Sequence, residues 1–129
     1  MMTMNTVLIT GGCGFIGSAL IRSLLKGPYY IVNIDILTYA GNPESIPNSS
    51  SNCNYIFENI DIRNAIDIKK AIMKHQPSQI MHLAAESHVD RSIDGPSGFI
   101  DTNILGTFNV LEAARCHYES LEGENKKKF

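Results

Sequence analysis

The 129-residue chain has no tryptophan, only three cysteines and no large excess of either charge. Each shortage excludes something. Cys13, Cys53 and Cys116 are odd in number, far apart and not in any Cys-x-x-Cys pair. They make no case for a disulfide framework or a structural metal and suit a reducing, cytoplasmic compartment. Eleven Lys and Arg stand against 13 Asp and Glu, a net charge of -2, unlike the basic domains that wrap nucleic acid. No apolar run approaches the roughly 18 residues that span a bilayer. The first six residues carry no basic stretch and lead only into the short run Val7-Leu8-Ile9, so a signal peptide is not expected. Hydrophobic residues still make up 43%, too many for a disordered chain. Size scaling predicts about 6,800 Å² of accessible surface when folded against about 20,600 Å² unfolded, enough burial for one compact domain.

Apolar periodicity alternates between short strand-like runs and helical stretches. A strand is expected over 7–10, stopped by glycines. The spacing of Ile16, Ala19, Leu20 and Leu24 predicts a helix over 15–26, closed by Gly27 as a left-handed cap and by Pro28. Strands follow over 29–36 and 55–60, with a loop over 39–52 rich in Gly, Pro, Asn and Ser. Asn64 is placed to cap a helix, with Asp67 facing its positive end and Ile68, Ala71 and Ile72 as its buried stripe before Pro77. The near-continuous apolar run over 79–84 predicts a strand buried on both faces. A last helix is expected from 99 to 115 or a little beyond, with Ile100, Ile104, Phe108, Leu111 and Ala114 on one side. Residues 120–128 read as polar and charged. This alternation predicts an α/β fold, a Rossmann-type doubly wound parallel sheet of order 3-2-1-4.

Between the first strand and first helix lies Thr10-Gly11-Gly12-Cys13-Gly14-Phe15-Ile16-Gly17. From Gly12 it reads G-x-G-x-x-G, and from Gly11 G-x-x-G-x-x-G. Glycines there serve a tight turn, the close approach of a pyrophosphate and tight helix packing at Gly17. The helix that opens behind them aims unpaired N–H groups and a positive dipole end at the phosphates. Asp35 stands 18 positions after Gly17, close to the ~20 of the dinucleotide fingerprint. A carboxylate there accepts both adenosine ribose hydroxyls and repels a 2′-phosphate, which favours NAD over NADP. Gly11, Asp35, Asp61 and the segment 83–87 all follow strands, so in a parallel sheet they share its carboxyl edge. Asp61 is placed to accept from an adenine amino group, with Ile62 against the ring.

With that loop in place, the chain resembles the extended short-chain dehydrogenase/reductase superfamily. Two stretches narrow the resemblance to the dTDP-glucose 4,6-dehydratase family: Asp35-Ile36-Leu37-Thr38-Tyr39-Ala40-Gly41-Asn42, and His82-Leu83-Ala84-Ala85-Glu86-Ser87-His88-Val89-Asp90-Arg91-Ser92. Thr102-Asn103-Ile104-Leu105-Gly106-Thr107, leading to Leu111-Glu112-Ala113-Ala114-Arg115, fits the same family. The resemblance covers nearly the whole chain and implies NAD as cofactor. Gly11, Gly14, Phe15, Ile16 and Gly17 would lie along the pyrophosphate, and Asp35, Ile36, Leu37 and Thr38 at the adenosine ribose. Asp61 and Ile62 would meet the adenine. Leu83, Ala84, Ala85, Glu86 and Ser87 would run beside the nicotinamide ribose, with Thr102 reaching the cofactor from the last helix. Ser87 and His88 would face the sugar nucleotide. Ile36 departs from the family, which usually has lysine there. His82 is read as structural, and His75 and His117 carry no functional signal.

The family's reaction is an internal redox dehydration of the sugar, with NAD taking and returning a hydride. Its base is the Tyr of a Tyr-x-x-x-Lys motif. Four positions after Tyr29, Tyr30, Tyr39, Tyr55 and Tyr118 stand Asn33, Ile34, Pro43, Asn59 and Glu122. None is lysine, and the family's Thr-Asp-Glu is also missing. No catalytic residue is therefore assigned. The expectation is an NAD-binding Rossmann domain over 1–129 that lacks the substrate domain, ends where the family enters strand 5, and is inactive alone. Strand 4 would then be an open edge. The last helix would keep an uncovered apolar stripe in a region that contributes to homodimer packing in the family. A freestanding nucleotide-binding module completed by a partner chain, or the first part of a sugar-nucleotide epimerase, remain as alternatives.

Overall fold

The computed structural model describes residues 4–38, 41–47 and 51–129. Tyr39 and Ala40, within the first family-like stretch, and part of the 39–52 loop lie outside the described residues. The elements are β1 (Asn5–Thr10), α1 (Phe15–Leu24), β2 (Tyr29–Ile34), β3 (Tyr55–Glu58), α2 (Ala65–His75) and β4 (Gln79–His82). After them come α3 (Val89–Asp94), α4 (Pro96–Phe99), a π-helical segment (Ile100–Gly106), α5 (Thr107–Ser120) and α6 (Gly123–Lys128). The four strands form one sheet in the order β3-β2-β1-β4, parallel throughout.

Alternation along the strands sends side chains to two faces. Leu8, Val32 and Ile34 face Ile68, Ala71 and Ile72 of α2 and Val110 and Ala113 of α5. Val7, Ile9 and Ile31 face Ile21 of α1 and Ile46 on the opposite side. Helices thus cover both faces, the Rossmann-type layering expected from the sequence.

All three later strands stop short of their expected ends, at Ile34, Glu58 and His82. Ladder bonds run one residue past two of these ends, from Asp35 N to Glu58 O and from Leu83 N to Thr10 O, before side-chain oxygens take over. Asp35 Oδ1 accepts Leu37 N at 2.8 Å, and Thr10 Oγ1 accepts Leu83 N and Ala84 N at 3.1 and 3.2 Å. β4 is not buried on both faces. As an edge strand it packs Ile80 on the core and leaves Met81 38% exposed.

α1 ends at Leu24, and Gly27 is not its left-handed cap: among described glycines only Gly11 and Gly123 have positive φ. Backbone bonds from Leu25 N to Ile21 O and from Gly27 N to Leu24 O close the helix instead. Its inner face centres on Gly17, Ser18 and Ile21, so Ile16 and Ala19 turn outward. α2 follows its expectation: Asn64 Oδ1 accepts Ile66 N and Asp67 N, and Ile68, Ala71 and Ile72 are buried.

The last helix packs through Gly106, Val110, Ala113 and His117, a spacing of four, three and four residues. The stripe Ile100, Ile104, Phe108 and Leu111 is 54–64% exposed. Residues 123–128, read from sequence only as a polar connector, form α6. It brings the Phe129 ring edge-on to His117, with centroids 4.9 Å apart. His117 is fully buried, its Nε2 is 2.9 Å from Pro77 O, and its Nδ1 has no partner. Total accessible surface is 7,969 Å², above the ~6,800 Å² that chain size predicts; the open edge and exposed stripe contribute to the excess. No described helix is long and apolar enough to cross a membrane.

Candidate cofactor-binding site

Strand register places the site. Thr10 pairs with both Ile34 and His82, and Ile34 pairs with Glu58, so all four strands end on one line. The turns that follow face a common cleft of about 520 Å³.

Gly11 opens that cleft with φ +72°, and a β-carbon on it would come within 2.6 Å of Ala84 N. Only glycine suits both the conformation and the approach. Gly17 packs α1 onto the glycine turn itself: its missing β-carbon would strike the Gly11 carbonyl and lie 2.7 Å from Gly12 Cα. Gly14, the helix N-cap, has an ordinary φ of -76°. No side chain caps the first turn of α1 and no acidic residue lies in it. Its positive end is therefore open to an anion. Phe15 is 94% and Ile16 68% exposed at this rim.

Asp35 is buried. Its Oδ2 accepts Cys13 N at 2.9 Å and its Oδ1 accepts Leu37 N at 2.8 Å. Each oxygen keeps one further acceptor position. Asn59 Nδ2 holds the Asp35 carbonyl at 3.1 Å. Beneath the glycine turn, Asn33 Nδ2 donates to Tyr55 Oη at 2.9 Å and to Cys13 Sγ at 3.4 Å, while Asn33 Oδ1 has no partner. Burial raises the pKa of both the Cys13 thiol and the Tyr55 phenol, keeping them protonated at neutral pH.

Asp61 is differently placed. Arg63 Nε and Nη2 approach its Oδ2 at 2.9 and 2.6 Å, and its Oδ1 takes Arg63 N and Nε at 2.9 and 3.0 Å. Hydrogen bonding from the guanidinium holds the Asp61 carboxyl below its ordinary pKa. An adenine amino group must compete with that grip.

The turn after β4 is held from two sides. Thr10 Oγ1 takes the Leu83 and Ala84 amides, while Asn103 accepts Glu86 N and donates to Glu86 O, each at 2.8 Å. Asn103 and Thr102 lie in the π-helical segment, whose widened turn carries both. Every residue assigned to the cofactor from sequence lines the cleft except Leu37. Leu37 takes φ 59° at the bend after Asp35, leaving Ile36 and Thr38 to the lining. Ser87 lines the cleft; His88 lies beyond it, exposed at the N-cap of α3. Ile34, Gly41, Ile60, Arg63 and Gly98 also line it and were missed. Arg63 was discoverable as a base two residues after Asp61; Gly98 gave no signal. An adjoining hollow of about 360 Å³ shares Glu86 and Gly98 with the cleft. Among the described residues no group of three or more His, Cys, Asp or Glu is arranged to hold a metal ion.

A parallel sheet with its glycine turn, uncapped helix end and buried acidic residue on one rim defines a Rossmann-type nucleotide-binding class. The sequence profile of the GDP-mannose 4,6 dehydratase family matches residues 8–129, and the chain belongs to that family. It is 52% identical over 124 residues to a dTDP-glucose 4,6-dehydratase of Shigella flexneri, covering 95% of this chain and 34% of that protein. The chain thus spans about a third of the length of the curated relatives it matches. A Streptomyces venezuelae dTDP-glucose 4,6-dehydratase solved with NAD superposes with a TM-score of 0.79 at 40% identity, over 87% of this chain and 36% of that one. A Thermus thermophilus UDP-glucose 4-epimerase in complex with NAD gives 0.77 at 32% identity, over 87% and 34%.

Proposed function

We propose that these residues form the NAD-binding portion of a dTDP-glucose 4,6-dehydratase, with the substrate domain outside them. The observation that carries this is the alignment of Gly11, Asp35, Asp61 and the 83–87 turn on one cleft. The residues fit the cofactor: the first turn of α1 carries no capping side chain and no acidic residue, and each Asp35 oxygen keeps an acceptor position. Bound NAD supplies reversible hydride acceptance.

The chain's own residues bind and orient. The first-turn amides of α1 and the turn from Gly11 to Gly17 seat the diphosphate, with Phe15 and Ile16 along it. Asp35 receives the adenosine ribose through its remaining acceptor positions, beside Ile36 and Thr38. Leu37 contributes through its backbone, since its side chain is outside the lining. Ile62 faces the adenine, and Asp61 accepts the amino group as Arg63 yields. The 83–87 turn and Thr102 flank the nicotinamide ribose; Ser87 and His88 face the nucleotide sugar. Without Tyr-x-x-x-Lys the 129 residues do not turn over dTDP-glucose. The exposed stripe from Ile100 to Leu111 forms part of a homodimer surface, and three scattered, unpaired cysteines support a cytoplasmic setting.

The epimerase alternative shares the cofactor residues, but the segment Glu86-Ser87-His88-Val89-Asp90-Arg91-Ser92 and the higher identity to dehydratases favour the first reading. Calorimetry with NAD and NADP tests it. NAD binds more tightly if Asp35 meets a free ribose; equal affinities refute that reading, and turnover of dTDP-glucose by the purified chain refutes its inactivity.

A further inference from the structure

We propose that His82 is a positioning residue: as the neutral Nε2–H tautomer it orients the Thr10 hydroxyl, which in turn sets the 83–84 turn of the cleft. The Thr10 oxygen has three partners, His82 Nδ1 at 2.6 Å, Leu83 N at 3.1 Å and Ala84 N at 3.2 Å. A hydroxyl offers one hydrogen and two acceptor positions. Backbone amides only donate; Ala84 N takes one acceptor position, and Leu83 N, shared with the Thr10 carbonyl at 3.1 Å, takes the other. The single hydrogen is left for His82, and Nδ1 must be the bare nitrogen that receives it.

The ring proton then sits on Nε2, 3.0 Å from Thr107 Oγ1, which accepts it. Burial lowers the His82 pKa and keeps the ring neutral. Thr10 is itself fully buried, so no water replaces a lost partner cheaply. The amide that Thr10 holds, Ala84 N, is also the atom that a β-carbon on Gly11 would strike first. His82 therefore acts, through Thr10, on the gap between the glycine turn and the turn after β4. The geometry stands on the structure alone; the consequence for binding rests on the NAD reading.

Long-range ¹H–¹⁵N NMR of the full chain with labelled histidine tests the geometry without any variant. A bare Nδ1 and a protonated Nε2 at His82 near neutral pH are expected; an Nδ1–H tautomer or a doubly protonated ring overturns the proposal. Calorimetry with NAD tests the consequence. Thr10→Val and His82→Phe are expected to weaken binding roughly tenfold, the scale of one lost hydrogen bond. Thr10→Ser, which keeps the hydroxyl, restores it. Wild-type NAD affinity in folded Thr10→Val and His82→Phe overturns the proposal. Should either variant unfold, Thr107→Val removes only the outer acceptor, and its His82 must keep a bare Nδ1 because Thr10 still donates to it; an Nδ1–H in that variant overturns the proposal. If the wild-type chain binds no NAD yet shows the tautomer, the cofactor reading fails while the geometry holds. Amide exchange at Leu83 and Ala84 must then quicken in the variants, and unchanged exchange overturns the positioning role.

Discussion

Asp35 and Asp61 follow neighbouring strands and differ in what already occupies their oxygens. Asp35 takes one amide on each oxygen, whereas Arg63 surrounds Asp61. Exposed ion pairs contribute only ~0–1 kcal/mol, so Arg63→Gln should tighten NAD binding by no more than about fivefold in calorimetry. Weaker binding would mean that Arg63 itself holds the cofactor. Gly11→Ala places a β-carbon against Ala84 N and a side chain at φ +72°; it should cost at least about 1–2 kcal/mol in urea unfolding and abolish NAD binding. Titration adds a further expectation. His82 resists in the folded state a proton that the unfolded chain accepts near pH 6.5, so stability should fall as pH drops below that value. The Asp61 and Glu58 carboxyls are held below 3.8 and 4.5 by their partners Arg63, and Lys74 with His75. Their stabilisation is present above those values and is lost as pH falls through the lower folded ones. Urea melts between neutral pH and pH 3 should show both declines; a flat profile down to pH 5 removes the His82 contribution.

Among the elements, α2 was the most legible. Its cap and its buried stripe are local features, and the structure places Asn64, Ile68, Ala71 and Ile72 as their spacing requires. Asn64→Ala leaves the Ile66 and Asp67 amides without their acceptor and should cost ~1 kcal/mol by urea unfolding. An unchanged midpoint would show the cap to be idle. α1 was less legible. Leu20 and Leu24 pack on the core as their spacing predicted, but outward Ile16 lies on the cleft rim and inward Gly17 and Ser18 carry no apolar signal. The strand ends were misjudged for a similar reason. Beyond Leu83, whose amide still reaches the Thr10 carbonyl, the Ala84 amide turns to the Thr10 hydroxyl, more than 70 positions away in the chain.

Across the whole molecule, one side of the helical run from Ile100 to Leu111 faces solvent while its other side packs on the sheet. Phe108→Glu with Leu111→Lys should reduce self-association in light scattering and change stability by under about 0.5 kcal/mol per site, since both side chains are more than half exposed. A large loss of stability would show that face to be packed. The sequence by itself determined the parallel αβ order, the glycine turn and the acidic residue after β2, because periodicity, turn chemistry and fingerprint spacing are properties of short stretches. Tertiary structure decided which donors and acceptors remain open. Asn103 holding Glu86 and Thr10 capturing two amides depend on how folded segments meet. His117 became a core residue on the inner face of α5, with Pro77 O at its Nε2 and the Phe129 ring edge-on to it; the positions that meet in such contacts carry no mark in the local pattern.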